Sequence, residues 1–178
     1  MEQQDPIPEE PRRLYLAYGS NLNLAQMEMR CPTAIPVRRL MIRGWALVFR
    51  EFLDIEPREG SCVYGALYSV TAEDEKALDL YEGVRHGFYR QVEFRIKSTG
   101  ETAFFYRMNE GGYEAPPAPY YYNICKQGFR DWKLPLNALS AALESAYNFT
   151  QQEVLSPALR RPARRRRSRS PVVPTIIR

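Results

Sequence analysis

Apolar residues recur along the chain with two periods, and the switches between them outline the elements. LYLAY (residues 14–18) is a short apolar and aromatic run stopped by Gly19-Ser20-Asn21, which predicts a strand followed by a tight turn. Residues 22–30 (LNLAQMEMR) place Leu22, Ala25 and Met29 at helical spacing, with Ser20 or Asn21 as N-cap, and Pro32 closes the segment. Residues 37–52 and 62–70 alternate and are rich in Val, Tyr, Phe and Leu, as strands are. A helix is expected from Thr71, whose hydroxyl can cap it, with Glu73, Asp74 and Glu75 in the first turn where the dipole favours acids. Its apolar stripe reads as Ala77, Leu80, Tyr81 and Val84, with Gly83 and Gly87 punctuating its end. Strands follow at 88–97 and 102–108, joined near Ser98-Thr99-Gly100 as a hairpin. Beyond a proline-rich loop (115–119), residues 120–132 and 135–147 read as helices separated at Pro135. Hairpins mixed with helices, without regular βαβ alternation, predict an α+β domain around a small, strongly curved sheet with flanking helices.

Composition narrows the chemistry. A chain of 178 residues, 44% hydrophobic and 26% charged, supports one domain with a full core. No run approaches the about 18 consecutive apolar residues of a membrane span, and no secretory signal pattern opens the chain, so no membrane association is expected. Cys31, Cys62 and Cys125 are scattered, with no C-x-x-C, which fits packing residues in a reducing compartment better than a disulfide framework. The only histidine is His86, read as a surface residue. That excludes a Cys/His zinc site at the usual spacing, H-E-x-x-H chemistry, and any Ser-His or Cys-His triad that does not use His86. The glycines form neither G-x-x-x-x-G-K-[ST] nor G-x-G-x-x-G, so nucleotide folds lack their signature.

Charge is unevenly spread. The last 19 residues hold eight arginines and no acid, so the net charge of +4 resolves into −4 over residues 1–159 and a strongly basic tail. The expected organisation is a flexible leader over 1–12, one domain over 13–159, and a disordered Arg-rich tail over 160–178. That tail is the one place where nucleic-acid contact, nuclear targeting, or phosphorylation at Ser168 or Ser170 has a sequence basis. Otherwise a cytoplasmic location is expected, and the sequence leaves a homodimer open.

Three stretches could carry chemistry. In Ala17-Tyr18-Gly19-Ser20-Asn21-Leu22, a strand runs into a glycine turn and a helix start, an arrangement suited to holding a small anion on successive N–H groups. In Leu78-Asp79-Leu80-Tyr81-Glu82-Gly83-Val84, Glu82 falls at a helix C-terminus, where exposed carbonyls and aromatic neighbours raise a carboxyl pKa toward a general base's range. Periodicity alone nevertheless places Glu82 off the apolar stripe and in solvent. The third stretch, Tyr106 through Tyr122, is a proline-stiffened loop followed by consecutive tyrosines, which can wall a pocket with hydroxyl groups.

These blocks resemble the γ-glutamylcyclotransferase family and its γ-glutamylamine and AIG2-like relatives. AYGSNL at 17–22 is similar to the family's opening motif, and ALDLYEGVRHGFYR at 77–90 to its L-D-x-x-E-G-V-x-x-G-x-Y segment. YEAPPAPYYYNICKQGFRDWKLP at 113–135 is similar to the end of the eukaryote-type enzymes. The blocks occur in family order. The resemblance implies a single α+β domain with a small mixed barrel, and cyclisation of a γ-glutamyl group to 5-oxoproline with release of an amine or amino acid. It implies Glu82 as the catalytic residue. It also implies Tyr15, Leu16, Ala17, Tyr18, Gly19, Ser20 and Asn21 as the substrate-binding loop, and Tyr89 and Tyr121 as pocket tyrosines. Tyr81 departs from the small or polar residue common before that glutamate, residues 44–62 match no family motif, and the Arg-rich tail has no counterpart.

The implied chemistry needs no cofactor and no metal. The substrate's own α-amine closes a five-membered ring on its γ-carbonyl, and preset proximity in such reactions is worth about 7–11 kcal/mol. Glu82 would move the proton, as base and then acid. Two alternatives stand beside a small γ-glutamyl amino acid or peptide substrate. One is a γ-glutamylamine cyclotransferase acting on other γ-glutamyl amides. The other is a non-catalytic ligand-binding module whose tail contacts nucleic acid.

Overall fold

The computed structural model describes residues 10–109 and 112–155. Residues 1–9 of the expected 1–12 leader, and the Arg-rich tail, lie outside the described residues. Among the described residues, five strands form one mixed sheet in the order β2 (Ile35–Arg50), β3 (Phe52–Val70), β1 (Arg13–Ala17), β5 (Thr102–Met108), β4 (Tyr89–Arg95), with four α-helices around it. None of those helices is long and apolar enough to cross a membrane.

Strand β1 (Arg13–Ala17) lies at the middle of the sheet, antiparallel to β3 with Leu16 opposite Leu67, and parallel to β5 with Tyr15 opposite Phe104. A strand flanked on both sides and covered on both faces has no polar face, so LYLAY reads as an unbroken apolar run. The chain then makes a 3₁₀ turn at Ser20–Leu22 before α1 (Leu24–Arg30). The expected cap at Ser20 or Asn21 is corrected here: Asn23 caps α1, its side chain accepting the Gln26 N–H at 3.1 Å. Ser20 and Asn21 are thereby freed from capping and belong to a separate turn.

Strands β2 (Ile35–Arg50) and β3 (Phe52–Val70) form a long hairpin closed at Glu51. The break expected over residues 53–61 does not exist. Asp54 and Glu56 stay in the ladder because Arg50, across the hairpin, pairs with both, at 2.8 and 2.5 Å. Helix α2 (Ala72–Tyr81) follows, then β4 (Tyr89–Arg95) and β5 (Thr102–Met108) as the expected hairpin, with Val92 opposite Phe105.

Helix α3 (Pro119–Asp131) packs directly on the 3₁₀ turn, and α4 (Leu136–Leu155) covers β2. Gly128 allows the first contact, since a Cβ there would sit 2.6 Å from both Leu22 Cβ and the Asn23 nitrogen. The core is built from Leu16, Leu67, Phe104, Phe105, Leu78 and Phe129, all fully buried. Burial of this apolar surface, at roughly 25 cal/mol per Å², is what holds α2 and α3 onto the body of the domain.

Candidate active site

The apolar stripe expected on α2 is overturned, and its replacement explains where Glu82 sits. Leu80 is 77% exposed, whereas Asp74 and Leu78 are buried. Asp74, Leu78 and Glu82 follow at four-residue steps, so Glu82 lies on the inward face of the helix rather than in solvent. Gly83 ends the helix immediately after it with φ +64, and a Cβ there would meet the Phe88 ring at 2.5 Å. That left-handed residue turns the chain and leaves Glu82 as the C-cap, its N–H bonded to the Leu78 carbonyl at 2.8 Å.

From this position Glu82 faces the end of β1. Its Oε1 accepts from Asn21 Nδ2 at 2.9 Å, and the same amide donates to the Tyr15 hydroxyl at 2.8 Å. Ser20, Asn21 and Tyr15 are all buried, and the 3₁₀ turn bonds Leu22 N–H back to the Gly19 carbonyl at 3.0 Å. The first N–H groups of such a turn, those of Ser20 and Asn21, are not consumed by its own bonds. Gly19 itself has φ −117, a value open to any residue. Its missing side chain keeps space open: a Cβ would stand 3.5 Å from both the Tyr121 hydroxyl and Leu53 Cβ.

Two further tyrosines meet at Leu53. The Tyr89 hydroxyl donates to the Leu53 carbonyl at 2.9 Å, and the Leu53 N–H donates to the Tyr121 hydroxyl at 3.1 Å. Tyr18 donates to the Tyr106 carbonyl at 2.6 Å. Leu16 and Ala17 stand apart from this cluster. Both are fully buried within the β1 ladder, opposite Leu67 and Ala66, and their side chains are core.

The family model for gamma-glutamyl cyclotransferase, AIG2-like proteins matches residues 15–128. The chain belongs to that family. It is similar to the Homo sapiens gamma-glutamylcyclotransferase, with 30% identity over 146 residues, 72% of this chain and 76% of that protein. The Bos taurus gamma-glutamylcyclotransferase is 29% identical over 140 residues, 69% of this chain and 73% of its own. A solved gamma-glutamyl cyclotransferase structure superposes with a TM-score of 0.65 at 26% identity, covering 74% of this chain and 86% of that one.

Within this γ-glutamylcyclotransferase fold the electrostatics single out one group. Burial pushes the Glu82 carboxyl up to about 7, against the opposing pull of the Arg30 charge and the Asn21 hydrogen bond. The hydroxyls of Tyr15, Tyr18, Tyr89 and Tyr121 are all held far above the usual tyrosine range, chiefly by burial, so they stay protonated. The arrangement therefore offers one proton-transfer group near neutrality, a set of neutral hydroxyls, and backbone N–H groups without a partner among the described residues.

Sequence reasoning missed two participants and misplaced a third. Leu53 contributes only backbone, which no residue type advertises. Arg30, at the end of α1, reaches Asn21 Oδ1 through Nη1. Tyr81 does not plug the site; its ring lies over the Arg30 guanidinium, 3.3 Å from Cζ to the ring centroid, at the molecular surface. A lone arginine nine residues beyond the glycine turn carries no motif, and the register of α1 on that turn had to be seen.

Proposed function

We propose that this chain cyclises the γ-glutamyl group of γ-glutamyl amino acids or peptides to 5-oxoproline and releases the free amino acid. The observation that carries this reading is the Glu82 carboxyl, with its pKa near 7, hydrogen-bonded to the side chain of the same turn whose backbone N–H groups are unspent. The substrate's α-carboxylate is held by the N–H groups of Ser20 and Asn21, which matches anion to donors without a side-chain cation. Its α-ammonium then lies beside Glu82, which removes one proton. The freed amine attacks the γ-carbonyl carbon, a C–N bond forms, and negative charge collects on the carbonyl oxygen.

Hydrogen-bond accounting assigns the tyrosines. Tyr15 and Tyr121 each accept in the contacts described, from Asn21 and from the Leu53 N–H, so each keeps its own hydrogen to offer a developing oxyanion. The Tyr89 hydrogen goes to the Leu53 carbonyl, so its oxygen can accept from the ammonium. When the original amide C–N bond breaks, the proton on Glu82 passes to the leaving amine, the ring nitrogen gives up its second proton to water, and the carboxylate is restored. Proximity supplies the rest: the ring closure is intramolecular, and about 7–11 kcal/mol of the barrier is removed by holding the folded conformer.

Incubating the protein with γ-glutamyl-alanine and with ε-(γ-glutamyl)-lysine, and measuring 5-oxoproline, tests the proposal. Product from the dipeptide is expected. Product from the lysine compound alone would instead indicate the γ-glutamylamine reaction, and none from either would leave a binding module.

A further inference from the structure

The Asn21 side chain spends its whole amide on three neighbours. Its two Nδ2 hydrogens go to the Tyr15 hydroxyl and to Glu82 Oε1, and its oxygen accepts from Arg30 Nη1. A guanidinium can only donate and an ionised carboxylate can only accept, so both ends of this chain demand the same orientation of the amide. Rotated by half a turn, Asn21 would aim its oxygen at the Glu82 carboxylate and its NH₂ at Arg30, replacing two attractions by two repulsions. Tyr15 alone does not select between the orientations, because a hydroxyl both donates and accepts. Once Glu82 takes up a proton its carboxyl can donate as well as accept, and Arg30 is then the neighbour that fixes the orientation.

Arg30 is itself held in place. Its guanidinium stacks on the Tyr81 ring at 3.3 Å, and the Tyr81 hydroxyl lies 3.1 Å from Ser20 Oγ, which ties the ring back to the glycine turn. A weaker contact runs from Arg30 Nη2 to Gln26 Oε1 at 3.5 Å on its own helix. Tyr81 directly precedes Glu82, so the ring that clamps the arginine and the carboxylate that the arginine serves leave the same end of α2.

We propose that Arg30, clamped by the Tyr81 ring, is a positioning residue that locks the Asn21 amide so that Glu82 presents its carboxylate to the substrate amine. This rests on the reading of Glu82 as the base. Arg30 acts through Asn21, and through its charge, which favours the ionised carboxylate. The other titratable groups facing Glu82 are Tyr15 and Tyr18 from the end of β1 and Tyr89 from β4, none of which is charged near neutral pH.

The test compares Arg30→Met, Arg30→Lys and Tyr81→Leu with the unaltered full-length chain. Two readouts are taken between pH 5 and 9. One is kcat and KM for 5-oxoproline release. The other is the carboxyl carbon-13 titration of Glu82, assigned by its disappearance in Glu82→Gln. In Arg30→Met, kcat should fall at least about tenfold, as expected for a displaced catalytic group, with KM changed far less. The Glu82 midpoint should rise by about one pH unit through loss of a cation and of an aligned hydrogen bond. Arg30→Lys keeps the charge but not the planar fork, so its midpoint should move less while kcat still falls. Tyr81→Leu, which frees the guanidinium, should show the same fall in kcat in milder form. A folded Arg30→Met with the original midpoint overturns the proposal. Should that variant not fold, unchanged kcat in both Arg30→Lys and Tyr81→Leu overturns it. If the unaltered protein releases no 5-oxoproline, the proposed reaction fails, and the titration alone decides the role of Arg30.

Discussion

Helix α2 carries a carboxylate on its inward face at each end, and the two serve different purposes because of what surrounds them. At the first turn, Asp74 Oδ2 accepts from the Thr71 N–H at 3.0 Å and the Thr33 hydroxyl at 2.7 Å, while Thr71 Oγ1 accepts the Asp74 N–H at 3.2 Å. This capping box sits where the helix dipole also favours negative charge. Eight residues on, Glu82 meets the opposite pole, where the dipole disfavours negative charge, with the Asn21 amide as its one side-chain donor among the described residues. Leu78 lies between them on the same face, fully buried. Donors and the sign of the helix end make Asp74 a structural part. Withholding them makes Glu82 a group that exchanges a proton near pH 7. A proton-transfer residue is built here by leaving the charged form under-solvated.

The strongest way to break this contrast is Glu82→Gln. It removes the proton carrier and keeps an acceptor for Asn21, so turnover should fall at least about 10²-fold while substrate binding persists. Measuring 5-oxoproline release alongside equilibrium binding checks both halves, and near-normal turnover would reject the role given to Glu82. Next in size is the pH profile. With the carboxyl near 7 in the free protein, kcat/KM should drop about tenfold per pH unit below that value. A limb near 4.5 would mean that some other group carries the proton.

The same shift has a consequence for stability, of opposite sign to the usual carboxylate case. Folding raises the Glu82 pKa from the ordinary 4.5 to about 7, so the folded state binds the proton more tightly than the unfolded chain. Stability from this group is present in full below pH 4.5 and is lost as pH rises through about 7. Glu82→Gln should therefore melt higher than the unaltered protein at pH 8, by about 1–3 kcal/mol, and the gap should close toward pH 5. Asp74→Ala supplies the counterpart at the other end of the helix. It should cost about 1–2 kcal/mol through loss of the capping box, and leave the pH of the catalytic limb unmoved. Thermal or urea melts of both variants at two pH values make the comparison.

Much of the fold was legible because the β4–β5 hairpin, the Pro135 break and the Thr71 start are each signalled by local residues with a local cause. The parts that were not legible share a different cause. Asp54, Glu56 and Pro57 look like a loop, and only the hairpin that sets them opposite Val48, Ala46 and Trp45, with the Arg50 side chain reaching both acids, restores the strand. The inward face of α2 contains two acids and one leucine, so a pattern that equates burial with hydrophobicity selected Leu80 and Tyr81 instead. Both are exposed, Tyr81 because its ring covers a cation. The site motifs themselves were visible as AYGSNL and YEG, but the contacts that tie them together run through Asn21, Arg30 and the Leu53 backbone. Those depend on how α1, α2 and β3 converge, which no single segment encodes.

The smallest expected effect sharpens the contrast at the glycine turn. Gly19 has negative φ, and an added Cβ would rest 3.5 Å from Leu53 Cβ and the Tyr121 hydroxyl, which is ordinary contact. Gly19→Ala should therefore change stability by no more than about 0.5 kcal/mol, in line with a substitution that neither strains the backbone nor overpacks. The methyl group would nevertheless occupy the space beside Tyr121 that the proposed mechanism gives to the folded glutamyl chain, so KM should rise severalfold while the Glu82 limb stays near pH 7. Gly83→Ala makes the opposite case. There φ is +64 and the Cβ would strike the Phe88 ring at 2.5 Å, so stability itself should fall, by about 1 kcal/mol or more. If Gly19→Ala proved as destabilising as Gly83→Ala, the glycine of the YGSN turn would be there for the backbone and not for the substrate.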